Sequence, residues 1–251
     1  MKTNNQRIQK VAAVAIWLII WQIVAMLLNQ KILLASPFDI IERLFTIWKD
    51  EGFLLTIGNT FIHIALGFFA GLFAGSILGI LAGKSRTVEI MLSPLMVTIK
   101  SVPVASFIII ALVWLASGKL SAFISFLMVL PVIYNNILGG IKSIDVKMLE
   151  MADIFKFDFS KRFLYIWLPT LKSFILTGCA TALGLCWKAG IAAEVIGIPK
   201  NSIGEMLYNA KAYLNTVDLF TWTVIIVAIS VLFEKLVMKL IKEGYRRLES
   251  R

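Results

Sequence analysis

Long apolar runs separated by short polar segments dominate the chain. The first, Val11 to Leu28, follows a polar start that holds Lys2, Arg7 and Lys10. Five more run from Asn59 to Gly83, Glu89 to Leu115, Leu120 to Leu138, Leu171 to Ile196 and Leu219 to Leu240. Each approaches or exceeds the ~18 residues that carry a helix across a hydrocarbon core. The pattern predicts an all-α polytopic membrane protein with six transmembrane helices. In the connector between the first two runs, Ile40, Ile41, Leu44, Phe45 and Trp48 recur at helical spacing opposite Glu42, Arg43 and Lys49. That is the signature of an interfacial helix. The expected organisation is a polar N-terminus over 1–10, a first transmembrane helix over 11–28, an external amphipathic connector over 29–58, a core over 59–241 containing a polar loop over 141–170, and a basic tail over 242–251.

Particular positions inside the runs carry more than hydrophobicity. Gly67, Gly71, Gly75, Gly79 and Gly83 fall at every fourth position of the second run. Small residues at this spacing let a second helix backbone approach closely in lipid, so the run is expected to form a tight helix seam. The third run contains Pro94 and Pro103, and a proline removes a backbone hydrogen bond and crowds the preceding turn. Irregular backbone at membrane depth must be covered by protein or line a cavity, which places this run in the bundle interior. Asn135 and Asn136, after Pro131 in the fourth run, are expected to hydrogen-bond between helices, and Asn136 is also a candidate for the translocation pathway. Lys188 and Glu194 stand inside the fifth run, where an ionisable group costs about 2.5–3.5 kcal/mol at mid-bilayer. Six positions apart on a straight helix, they point about 120° away from each other. Two readings remain open: Lys188, with Trp187, lines a pathway for an anionic solute, with Glu194 and Lys100 as further pathway charges; or Lys188 pairs with a neighbouring helix and Glu194 reaches the outer interface.

Composition sharpens the class. Of 251 residues, 59% are hydrophobic and only 16% charged, against roughly a quarter in soluble domains. The net charge of +10 would suit nucleic acid, but in a membrane protein excess Lys and Arg set topology. With six spans, 16 of the 25 basic residues fall on the side of the two termini and 6 on the other. Both termini and the 141–170 loop are therefore expected in the cytoplasm. Cys179 and Cys186 are two helical turns apart, too far for a disulfide. The sequence holds no G-x-x-x-x-G-K-[ST] phosphate loop, no His/Cys metal cluster and no nucleophile–base arrangement, so any energy must come from another chain.

The polar loop carries the most specific signal. Glu150-Met151-Ala152, then Lys156, then Ile166-Trp167-Leu168-Pro169 resemble the cytoplasmic motif of permease subunits of binding-protein-dependent ABC importers: E-A-A, three residues, G, nine residues, I-x-L-P. Pro131, Asn136, Gly140, Asp145 and the stretch from Pro103 to Trp114 are similar to the nitrate, sulfonate and taurine importer group. The resemblance implies a type I ABC importer permease fold in a bacterial cytoplasmic (inner) membrane, paired with a second copy of itself. It implies two coupling helices in the loop that fit an ATP-binding cassette subunit, with ATP and Mg held by that subunit. An extracytoplasmic substrate-binding protein would deliver the solute. Glu150, Met151, Ala152, Lys156, Asp158, Ile166, Leu168 and Pro169 would then form the ATPase-coupling site, Pro169 ending the second helix where the next span begins. Two positions depart from the motif: Met151 replaces a small residue, and Lys156 replaces the glycine that permits a left-handed turn. Asp158 offers an N-cap for a helix from Phe159 to Leu168, which would preserve the break. The rival readings are an amphipathic loop lying on lipid, an ion-coupled transporter, or a channel.

Overall fold

The structure, a computed structural model, describes the backbone of residues 2–28, 30 and 32–249, and the side chains within them except those of 2–8, 10, 11 and 249. Lys2, Arg7, Lys10, Lys31 and Arg251, counted above for topology, therefore have side chains outside the described residues. The described chain is all helical. In order it forms α1 (Lys2–Leu28), α2 (Pro37–Thr46), α3 (Phe53–Lys84), α4 (Arg86–Ser101), α5 (Val104–Trp114), α6 (Ser117–Lys142), α7 (Val146–Ile154), α8 (Phe159–Arg162), α9 (Leu168–Gly197), α10 (Ile203–Ala212) and α11 (Thr216–Glu249). A π-helical segment, Phe163–Trp167, joins α8 to α9, making one continuous helix over Phe159–Gly197. By length and composition α3, α6 and this long helix can each cross a membrane, the α4–α5 pair can make a fourth span, and Ala12–Leu28 is a shorter apolar helix. The protein is a multi-pass integral membrane protein.

The bundle is built on α3, α6 and α9. The five glycines of α3 face α6 along its length. A Cβ on Gly71 would lie 2.7 Å from the Val129 Cβ, one on Gly75 would lie 2.8 Å from the Leu130 carbonyl oxygen, and one on Gly79 would lie 2.8 Å from the Ile137 Cβ. Gly67 meets the Ala122 carbonyl, and Gly83 the Ile141 side chain. The helices touch backbone to side chain because α3 has no side chains in the way. On the far side of α6, Gly178 of α9 packs on Asn136, and Gly190 admits Ile64 and the Ser125 hydroxyl. Phe68, Val129, Ile133, Leu183 and Cys186 fill the space between, together with Phe233 from α11.

Two expectations need correction here. The third run breaks at Pro103, as its sequence implied, with α4 and α5 meeting at 103°, but it is not wholly interior. Pro103 caps α5, and the residue before it, Val102, is extended at φ −75° and ψ 132°, the conformation a following proline imposes. Of this pair Met96, Ile99, Ile108 and Ala111 are buried, whereas Met91, Val97, Val113 and Trp114 are exposed, so much of it lies at the edge of the chain. Nor do the asparagines bridge helices. Asn135 donates to the Pro131 carbonyl at 2.5 Å and Asn136 to the Val132 carbonyl at 2.8 Å, each one turn back in its own helix.

The outlying elements are held by polar contacts. Ser36 caps α2, and Arg43 within it pairs with Asp50 and, at 2.5 Å, with Asp218 of α11. The hydrogen bond that Arg43 donates to Asp50, ahead of the partial desolvation that opposes it, raises the Arg43 pKa above the usual guanidinium range.

The seam makes a direct prediction. Gly75→Ala should destabilise the protein by about 1–3 kcal/mol, because the added methyl meets backbone that cannot yield. Gly58→Ala, on the same helix with no heavy atom within 4 Å of the new Cβ, should stabilise it by about 0.5–1 kcal/mol. Thermal unfolding of the two variants in detergent micelles should move in opposite directions.

Candidate functional site

The segment between α6 and α9 is a self-braced helical hairpin. Asp145 caps α7, its Oδ1 accepting from the Lys147 N–H at 2.9 Å. The helix closes in a Schellman turn: the Phe157 N–H donates to the Ala152 carbonyl at 2.8 Å, and the Lys156 N–H to the Asp153 carbonyl at 3.0 Å. Lys156 occupies the left-handed position of that turn, with φ 51°. The chain thus makes the turn a glycine would make, with a lysine in place. Asp158 then caps α8, accepting from the Lys161 N–H at 3.2 Å. Arg162 closes the unit from behind: its Nε donates to the Phe157 carbonyl at 3.1 Å, and its guanidinium pairs with the Asp153 carboxylate. Asp153 and Arg162 are positions that sequence reading missed; their nine-residue spacing bridges a turn rather than one helix, so no helical periodicity flags it.

The hairpin has two chemically distinct faces. Ala152, Ile166 and Leu168 are buried, whereas Glu150 and Met151 are exposed. Ile154, Phe155 and Phe159 are 78%, 69% and 77% exposed, and Phe159 stacks on Phe163 with ring centroids 6.5 Å apart. Three large apolar side chains left exposed on a turn with a capped helix on either side form a surface suited to another protein.

Pro169 does not end the second helix. It sits at the start of α9, inside the continuous Phe159–Gly197 helix, and the helix runs through it. The π segment makes this possible: the Leu168 N–H reaches five residues back to the Phe163 carbonyl, one residue further than an α-helix would allow.

The charged positions of α9 are separated by the fold. Lys188 is exposed along a cleft of about 440 Å³ whose walls include Trp187, Leu207, Ser230 and Glu234. Trp187 is buried against Phe61 and Phe233, with no hydrogen-bond partner for its indole nitrogen. Glu234 stands next to Lys235 in sequence and reads as part of the basic end of α11, yet it shares this cleft with Lys188. Glu194 is 1% exposed. Its Oε2 accepts from the Thr60 hydroxyl at 2.8 Å and from the Gly204 N–H at 3.2 Å, and Thr60 accepts from the Ile203 N–H at 2.9 Å. A carboxylate at the start of α10 thus ties that helix to α3 and α9. Asn136 is wedged between α6 and α9 against Gly178. Lys100 is exposed in the last turn of α4, beside Tyr134 of α6.

Comparison with known proteins supplies the wider frame. The family model described as binding-protein-dependent transport system inner membrane component matches residues 67–247. The chain is 26% identical to the taurine transport system permease protein TauC of Escherichia coli (strain K12), over 92% of this chain and 86% of that one. It is 27% identical to the nitrate import permease protein NrtB of Synechocystis sp. (strain ATCC 27184 / PCC 6803 / Kazusa), covering 81% and 76%. It is 28% identical to the bicarbonate transport system permease protein CmpB of Synechococcus elongatus (strain ATCC 33912 / PCC 7942 / FACHB-805), covering 75% and 68%.

The turn yields two expected outcomes. Lys156→Gly should stabilise the hairpin by about 1 kcal/mol, since the left-handed conformation strains only residues with a Cβ. Arg162→Ala should loosen it. Hydrogen–deuterium exchange over residues 153–162 should slow in the first variant and quicken in the second, with the α3–α6 seam unaffected.

Proposed function

Because the chain belongs to the family of binding-protein-dependent transport system inner membrane components, we propose that it is the permease subunit of an ABC importer, forming the route by which a small solute crosses the membrane. The α7–α8 hairpin is its coupling element: Ile154, Phe155 and Phe159 seat in a groove of a separate ATP-binding cassette subunit, which holds ATP and Mg. The observation that carries this reading is the hairpin itself, braced by hydrogen bonds at its turn, apolar at its tip and continuous through the π segment with α9. Movement of the tip then passes directly to the helix that bears Lys188.

Two copies of the chain, spanning the membrane six times each with both termini in the cytoplasm, present two hairpins to two ATPase subunits. ATP binding draws the ATPases together, brings the hairpins toward each other and opens the route to the outside; hydrolysis resets it. An extracytoplasmic binding protein delivers the solute, and Lys188 with Trp187 lines the route, attracting negative charge. The similarity to permeases named for taurine, nitrate and bicarbonate supports a small, charged solute.

In liposomes containing the chain, its cognate ATPase and its binding protein, uptake should require ATP. Phe155→Asp should abolish copurification of the ATPase without altering thermal unfolding of the isolated chain. Uptake independent of ATP, or an ATPase retained by Phe155→Asp, would reject the proposal. Lys188→Met should slow uptake of an anionic solute by about tenfold, equivalent to ~1.4 kcal/mol of barrier, at unchanged assembly.

A further inference from the structure

Between α4 and α6, away from the hairpin and from the Lys188 cleft, lies a pocket of about 150 Å³ lined by Glu89, Ser93, Lys100, Tyr134 and Asn135 over a floor that includes Met96 and Leu138. Tyr134 is only 2% exposed, yet its hydroxyl has no hydrogen-bond partner. A buried hydroxyl without a partner is a substantial penalty in an otherwise packed interior, and this one belongs to the wall of a polar cavity. Lys100 forms no salt bridge among the described residues. Asn135 uses one N–H on the Pro131 carbonyl and has a second in reserve. Ser93 adds a further hydroxyl. The one carboxylate present, Glu89, is already held by Lys142 at 2.6 Å and by Arg86 at 3.0 Å.

We infer that this pocket binds a small oxyanion. The unmet groups are a cation and hydrogen-bond donors, and the only negative charge is neutralised twice over, so a cationic ligand has no counter-charge. A single cation would suffice for a halide. Donors on two helices, two of them neutral hydroxyls and one an amide, suit a ligand with several acceptor oxygens arranged around a central atom. Burial strengthens the contact that Tyr134 can make, while Lys100, Ser93 and Asn135 are exposed and reachable by an ion from solution. The volume admits such an ion with a few waters, each of which takes ~30 Å³ in the liquid, and excludes a large solute. Lys100 and Tyr134 are thus specificity-determining residues for anionic solutes; only their place along a transport route rests on the importer reading, and binding itself does not.

The test uses the full chain in lipid nanodiscs, without ATPase or nucleotide, and measures equilibrium binding of radiolabelled sulfate at constant ionic strength. Saturable binding should be displaced by nitrate and not by chloride. Tyr134→Phe, which removes only the hydroxyl, should weaken binding by about tenfold, as expected for one hydrogen bond to a charged group, at unchanged thermal unfolding. Lys100→Gln should remove it. Absence of saturable binding, displacement by chloride as effective as by nitrate, or wild-type affinity in both variants would overturn the inference; the last two outcomes would leave a water-filled or non-selective cavity. If ATP-dependent uptake fails while sulfate binding persists, the importer reading falls and the anion site stands; the converse result separates them the other way.

Discussion

Helices in lipid gain nothing from hiding apolar side chains from one another, so close backbone approach has to hold the bundle together. Here that approach is the row of glycines along α3, which brings the Leu130 and Ala122 carbonyls of α6 against bare Cα atoms. The same economy recurs where Gly178 and Gly190 of α9 receive Asn136, Ile64 and Ser125. Three long helices are fixed side by side in this way. Because α6 leads into α7 and α9 grows out of α8, the core also fixes both roots of the hairpin.

Outside this core the links are polar, and each satisfies a group that would otherwise be stranded. The Thr60 hydroxyl receives one hydrogen bond from α10 and gives another to Glu194, so neither the carboxylate nor the first N–H groups of α10 are left bare. Arg43 does the same between α2 and α11. Apolar closeness sets where the long helices lie, and polar bonds decide where the short ones attach. The charged residues of the spans divide accordingly, Glu194 into structure and Lys188 onto an open cleft.

What could be seen in the sequence follows from range. The glycine period and the Asp158 cap are local patterns, written within a few turns, and they mark real features of the chain, whereas Pro169 stands inside a continuing helix instead of ending one. The break at Pro103 was legible as irregular backbone, but its 103° angle depends on what α5 packs against. Thr60 and Glu194 are 134 positions apart, and nothing local to either names the other. Asn135 and Asn136 misled for the opposite reason: polar side chains in a span suggest partners on other helices, while the nearest acceptors were the carbonyls one turn behind them. Lys156 is instructive in a different way. A network of backbone bonds and the Arg162 brace hold the left-handed turn without the residue type that usually supplies it.

The π segment has a geometric effect that reaches well beyond its five residues. A wide turn inserts one residue beyond the α repeat and so rotates everything after it by about 100° around the helix axis. Which side of α9 carries Lys188, and which carries Glu194, is thus decided at Phe163–Trp167, before the helix enters the bundle. A single-residue insertion there would turn the cleft lysine inward and the buried carboxylate outward. The exposed tip between α7 and α8 and the wall of the Lys188 cleft are therefore phased like the teeth of a single screw, and neither can change length without resetting the other.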